Sequence, residues 1–294
     1  MPVGRDDRHR DGRDLGGDDR PWRSTISGRV DVTHLLRAGE RRAVRTYLPP
    51  GYELTTHDHP VLYMFDGQNL FDRTTTAFGM EWGIDETIES LVAAGSLDGV
   101  VVVGIDSPAD PWRRYAEYTA WDWMLDGRPV VAEGSVTADF LVDQVIPYVQ
   151  ATYRVAHDPA RVGLAGSSMG GYMTLYVAAR HPGVFGRLLA FSPVALDEPM
   201  AGHQLHDHLV HRGFAPRTWV YVDMGGAEQL GYVDHPERLV ENLGATTRAV
   251  AASARPPEQL VSRVVPGAGH DELAWGARFG EVLLWAFAGG PRPS

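Results

Sequence analysis

Cysteine is missing from all 294 residues. Its absence excludes disulfides, thiolate metal sites and a cysteine nucleophile, and leaves the redox compartment open. No apolar run approaches the roughly 18 residues that mark a transmembrane helix, so none is expected. Positive charge is the minority sign: 27 Lys and Arg against 38 Asp and Glu give a formal net charge of -11. Such a surface repels nucleic-acid phosphates and anionic lipid, and neither is an expected partner. The first 20 residues are rich in Arg, Asp and Gly and lack the apolar segment of a secretory signal, which points to a cytoplasmic protein.

A hydrophobic content of 44% with 22% charged residues is that of a globular protein. One sizeable core is expected at this length. Residues 1–24 read as a solvated, disordered tail, residues 25–288 as one domain, and residues 289–294 as a frayed end. Within the domain, strand-like segments at 44–47, 61–65, 100–105, 161–165, 187–191, 218–222 and 260–265 alternate with helical spacing at 82–94, 138–153, 169–180 and 280–287, the last continuing a helix whose inner face carries Trp275 and Phe279. Continuous apolar runs such as Val61-Leu62-Tyr63-Met64-Phe65 suit strands buried on both faces. The alternation implies an α/β fold with a mostly parallel sheet covered on both sides, whose functional groups collect at the carboxyl ends of the strands.

One junction carries a chemical signature. Gly166-Ser167-Ser168-Met169-Gly170 lies between a strand and a helix, the Gly-x-Ser-x-Gly pattern of a nucleophile elbow. The register selects Ser168, because Ser167 would need glycines where Ala165 and Met169 stand. A serine hydroxyl needs a base within hydrogen-bond reach, and the base needs an orienting carboxylate. In this fold class the chain order is Ser, acid, His. His270 qualifies as base, in the glycine-rich loop 266–271 after the last strand. Two acids follow the strand at 218–222: Asp223 at its end, and Glu228 on the loop beyond two glycines. Glu228 is favoured because its loop can turn back toward His270. The oxyanion donors are expected to be the backbone N–H groups of Met169 and of Gln68, in the turn Asp66-Gly67-Gln68-Asn69.

These residues and their surroundings resemble the putative-esterase family of α/β-hydrolases, which includes esterase D, enterobactin and feruloyl esterases and the mycolyltransferases. The matching phrases run from about Gly28 to Phe287: Tyr47 to Tyr52, VLYMFDGQNLFD at 61–72, Trp82 to Glu86, Val102 to Asp106, LAGSSMGGYMTLYVAARHP at 164–182, Ala190 to Pro193 and His270 to Trp275. The resemblance implies an α/β-hydrolase fold, Ser168 as nucleophile, His270 as base, no cofactor and a small-molecule ester as substrate. It places the acid after a Gly-Thr-x-Asp/Glu-like phrase, which Gly225-Gly226-Ala227-Glu228 resembles with Gly226 in place of threonine. It also suggests that Asp66, Gly67, Arg113, Arg114 and Tyr118 shape the substrate cleft, with a structural salt-bridge role for the 113–118 segment as the alternative. Acyl transfer to an alcohol or sugar, and non-catalytic binding on the same fold, are the competing functions. His203, His206, His208 and His211, with His57-Asp58-His59, lack a metal-site pattern, and no metal is expected. Trp112, Trp121 and Trp123 could stack on a substrate ring or pack a cap.

Overall fold

The computed structural model describes residues 23–293 except 77–78, 197–200, 232, 234, 236 and 254–255. The proposed tail at 1–24 falls almost wholly outside the described residues. In chain order the elements are β1 (Arg29–Arg37), β2 (Glu40–Leu48), β3 (Val61–Phe65), α1 (Ile84–Ala93), β4 (Val101–Ile105), α2 (Pro111–Glu117), β5 (Trp123–Leu125), β6 (Arg128–Val130), α3 (Gly134–Phe140), α4 (Ile146–Thr152), β7 (Val162–Ser167), α5 (Met169–Arg180), β8 (Arg187–Phe191), α6 (Gly202–Arg212), β9 (Trp219–Gly225), α7 (Glu237–Ala251), β10 (Leu260–Val265) and α8 (Glu272–Phe287).

Eight strands form one sheet in the order β1-β2-β4-β3-β7-β8-β9-β10, and β5 and β6 make a separate hairpin. All pairs from β4 to β10 are parallel, while β1–β2 and β2–β4 are antiparallel. Side chains of β3 alternate between two cores. Val61, Tyr63 and Phe65 face one that also takes residues of α3 to α7, and Leu62 and Met64 face one built on α1 and α8. Burial on both faces is why this strand reads as an unbroken apolar run.

The order also positions the site. From β3 the chain crosses to β4 on one side, then returns past β3 to β7 and continues outward. Such a reversal opens a crevice at the carboxyl ends of the two central strands. The turn after β3 and the junction after β7 therefore face each other, although about 100 residues separate them in the chain.

The helix expected at 138–153 belongs to a helical stretch that begins four residues earlier, at Gly134. Between α3 and α4 lies a wide turn, Leu141–Val145, in which the Ile146 N–H reaches the Leu141 carbonyl. Pro147, with no N–H to give, follows directly. In the segment expected to fray, Gly290 N–H donates to Leu284 O at 3.0 Å and the Arg292 guanidinium to Leu260 O at 2.6 Å. They close over the start of β10.

Candidate active site

The chain leaves β7 and enters α5 through Ser168, whose backbone sits at φ 57°, ψ -123°. A non-glycine residue there carries strain of order 1–3 kcal/mol. Neighbouring backbone holds it: Ser168 N–H donates to Phe191 O at 3.0 Å, and Ser168 O accepts from Tyr172 N–H at 3.1 Å and Val194 N–H at 3.2 Å. Gly166 is required sterically, because a Cβ there would lie 2.6 Å from the carbonyl carbon and oxygen of Gly170. The restriction at Gly170 is milder, with a Cβ meeting Phe65 Cβ at 3.2 Å and Asp66 Oδ2 at 3.3 Å. The Met169 N–H is in the first turn of α5, where N–H groups have no partner within the helix and the helix dipole favours negative charge.

The turn after β3 lies beside this junction. Asp66 adopts a left-handed conformation, φ 56°, and Gly67–Asn69 form a single 3-10 turn closed by Asn69 N–H to Asp66 O at 2.9 Å. Gly67 packs against Gly104 so closely that a Cβ would lie 2.5 Å from its carbonyl carbon. The Gln68 side chain is tied to Ser107 in both directions: its Nε2 donates to Ser107 Oγ at 2.8 Å, and its Oε1 accepts from Ser107 N–H at 3.0 Å. Its backbone N–H, near the start of the turn, is one of those with no partner inside the 3-10 pattern.

The cleft residues suggested by resemblance divide. Arg114 makes a bidentate pair with the Asp66 carboxylate at 2.8 and 2.7 Å, and so stands beside the Gly170 end of the elbow. Tyr118 is buried beneath the turn instead of lining a cleft: its hydroxyl accepts from Asp66 N–H at 3.1 Å, and burial pushes the phenol well above its ordinary value. Arg113 turns to the sheet edge, where it pairs with Glu40 at 2.6 Å and with Glu117 at 3.4 Å. Glu117 is itself buried between Arg37 and Arg42. The contacts of Tyr118 and Arg113 fasten α2 to the sheet.

On the other side of Ser168, the loops after β9 and β10 interlock. Gly226 N–H donates to Val265 O at 2.8 Å, and Ala227 N–H to Ala268 O at 3.0 Å. This brings Glu228 Oε2 to 2.7 Å from His270 Nδ1. The carboxylate is fully buried, and its Oε1 accepts from Gly225 N–H at 2.6 Å and from the Ser192 hydroxyl. A carboxylate accepts only, so in the neutral imidazole the proton is on Nδ1 and Nε2 keeps its lone pair. Asp223 is committed elsewhere. It accepts from Ser192 N–H at 2.9 Å and Tyr221 hydroxyl at 2.6 Å, and pairs with Arg278 Nε at 2.5 Å.

Sequence reasoning placed Ser192 and Trp275 in matching phrases without giving them a contact at this site, and did not single out Arg278. Trp275 Nε1 donates to Ser192 Oγ at 3.0 Å and Arg278 Nη2 does so at 3.1 Å, while the Trp275 ring packs edge-on against His270 at 4.9 Å. Ser192 had a usable signal, because it directly follows β8 at the carboxyl end of the sheet.

The remaining polar clusters are spoken for by packing. His206 bonds Thr246 at 3.0 Å, and His208 lies between the rings of Trp121 and Tyr176. Among the described residues no three His, Asp or Glu side chains converge as a metal site. Arg128 stacks on Trp112 at 3.9 Å, and Trp123 packs on Tyr115 and donates to Thr119, so these tryptophans build the cap over the sheet. A cavity of about 760 Å³, lined by His57, Pro60, Gly99 and Arg161 among others, lies at the amino ends of β3, β4 and β7, opposite Ser168. No helix among the described residues is long and apolar enough to cross a membrane.

A mainly parallel sheet with a strained serine between strand and helix, and a histidine–carboxylate pair on the loops of later strands, is the α/β-hydrolase fold. Residues 37–286 match the family described as putative esterase, and the chain belongs to that family. The protein is a carboxylic-ester hydrolase. It is similar to the uncharacterized protein YbbA of Bacillus subtilis (strain 168), 24% identical over 254 residues, covering 85% of this chain and 94% of that one. Among solved structures it is similar to a ferulic acid esterase, with a TM-score of 0.63 and 19% identity, covering 90% of this chain and 98% of that one. It is also similar to the enterobactin esterase FES from Shigella flexneri, with a TM-score of 0.67 and 19% identity, covering 90% of this chain and 61% of that one.

Proposed function

We propose that this protein hydrolyses a small-molecule carboxylic ester through an acyl-enzyme on Ser168. The observation that carries the reading is the 2.7 Å contact between His270 Nδ1 and the fully buried Glu228 carboxylate. It leaves Nε2 as the basic nitrogen of the neutral ring. His270 Nε2 takes the hydroxyl proton as Ser168 Oγ attacks the ester carbonyl, and Glu228 stabilises the resulting imidazolium. The tetrahedral oxyanion is held by the N–H groups of Met169 and Gln68, each worth about 3–4 kcal/mol in comparable sites. The imidazolium returns its proton to the departing alkoxide, and water activated by the same nitrogen releases the acid.

The test is Ser168→Ala. Turnover of p-nitrophenyl acetate should disappear while the unfolding temperature stays within a few degrees of wild type, and a fluorophosphonate should label wild type alone. Undiminished turnover in the variant would remove Ser168 from the mechanism. A panel of acetyl, feruloyl and siderophore-type esters, the latter two motivated by the named structural neighbours, would define the acyl group.

A further inference from the structure

The 66–69 turn and the His270 loop are far apart in sequence, yet one polar contact joins them directly. Asn69 Nδ2 donates to Glu272 Oε1 at 2.9 Å. Asn69 is next to Gln68 and closes the turn through its own N–H. Glu272 is two residues beyond His270 and opens α8. An apolar route runs in parallel. Trp82 N–H donates to Asn69 O at 3.0 Å, and the Trp82 ring stacks on Trp275, 5.7 Å away at 27°, which also packs edge-on against the His270 imidazole. A Cβ on Gly276 would sit 2.3 Å from Trp82 O, so the helix seats directly on that backbone.

Glu272 is also retained at a cost. Burial raises its carboxyl above the ordinary range, and the nearby Asp66 charge raises it further, while Arg114 opposes the rise. Asn69 Oδ1 is buried with no hydrogen-bond partner among the described residues. A local polar arrangement this poorly compensated is expected where function, not stability, maintains it.

We propose that the Asn69–Glu272 hydrogen bond is a positioning element that aligns the oxyanion turn with the His270 loop. This rests on the hydrolytic reading above. Neither residue touches the reacting atoms; each acts through its neighbour, Gln68 on one side and His270 on the other. A misplaced oxyanion donor weakens binding of the transition state more than of the ester, so its loss falls on kcat.

The experiment is a double-mutant cycle on p-nitrophenyl acetate. Asn69→Ala and Glu272→Ala should each lower kcat about tenfold with KM changed less than about twofold, as expected for one hydrogen bond to a charged group. The double variant should be no worse than either single one, because both remove the same contact. Asn69→Asp opposes two carboxylates and should lose at least as much. Asn69→Asp combined with Glu272→Gln restores a hydrogen bond of reversed direction and should recover most of kcat, at an unfolding temperature that shows the fold intact. Multiplying effects, a change confined to KM, or no recovery in the swapped pair would overturn the proposal. The rate of fluorophosphonate labelling at Ser168 is measured in parallel. A wild-type protein that is neither labelled nor active on esters refutes the hydrolytic reading itself. A labelled wild type with unchanged variants refutes the coupling alone.

Discussion

Replacing Glu228 by glutamine is nearly isosteric, yet its surroundings make it disruptive whichever way the amide turns. The carboxylate accepts on both oxygens: from His270 Nδ1 at 2.7 Å on one, and from Gly225 N–H at 2.6 Å and the Ser192 hydroxyl on the other. If the glutamine oxygen faces His270, its NH2 opposes the Gly225 N–H, and two donors meet in a buried site. If the NH2 faces His270, Nδ1 must accept, the proton moves to Nε2, and that nitrogen no longer serves as a base. Loss of the correct tautomer at such an acid costs about 10⁴ in kcat, or about 5 kcal/mol of transition-state stabilisation. Asp223→Asn is the contrasting perturbation. It breaks a buried pair with Arg278, which should destabilise the fold by about 3–5 kcal/mol. The folded fraction should keep kcat within about tenfold, as Asp223 makes no contact with His270. Steady-state kinetics on p-nitrophenyl acetate with parallel denaturant unfolding separates the two. Glu228→Gln with near wild-type kcat, or Asp223→Asn losing kcat as a stable protein, would refute the assignment of the acid.

Two further outcomes follow from burial and close contact. Gly67→Ala puts a methyl 2.5 Å from the Gly104 carbonyl carbon and 2.8 Å from Asp106 Oδ1, so the turn must shift; kcat should fall about 10²-fold, as expected for an ångström-scale misplacement, and an unchanged kcat would free the turn from the mechanism. The Asp85 carboxyl is pushed up to about 8 by burial first and then by Glu86, and its Oδ2 accepts from Ser27 N–H at 2.7 Å. The folded protein therefore keeps a proton that the unfolded chain releases near pH 4. This contribution to stability is complete below that pH, is lost as pH rises toward 8, and is level above. Asp85→Asn, which can still accept from Ser27, should raise the unfolding temperature at pH 8 but not at pH 4; a difference independent of pH would contradict this.

Much of the molecule was legible in one dimension. Central strands such as β3 and β4 are buried on both faces and read as unbroken apolar runs. The elbow glycines announce themselves because backbone must pass within 2.6 Å of a would-be Cβ at Gly166. The edge strand β1 was not legible, because it pairs on one side only and its burial pattern mixes exposed and half-buried residues. Its hairpin with β2 turns at Ala38 and Gly39, both at positive φ, a signal weaker than an Asn-Gly pair. The start of α8 is fixed by Asp271, which caps it by accepting from Ala274 N–H.

The sequence by itself determined which serine lies at the sharp turn, the order of serine, acid and histidine, and the mostly parallel sheet. Each follows from local sterics or from periodicity, which neighbouring residues encode. Only the tertiary structure shows which of Glu228 and Asp223 meets His270, and what Arg113, Arg114 and Tyr118 contact. Those outcomes depend on partners that are distant in the chain: Arg278 takes Asp223 across 55 residues, Glu228 meets His270 across 42, and Asp66 is gripped by Arg114 across 48. Whether a carboxylate orients an imidazole or neutralises a guanidinium is set by which of them the fold brings within hydrogen-bond reach, and spacing along the chain carries no record of that.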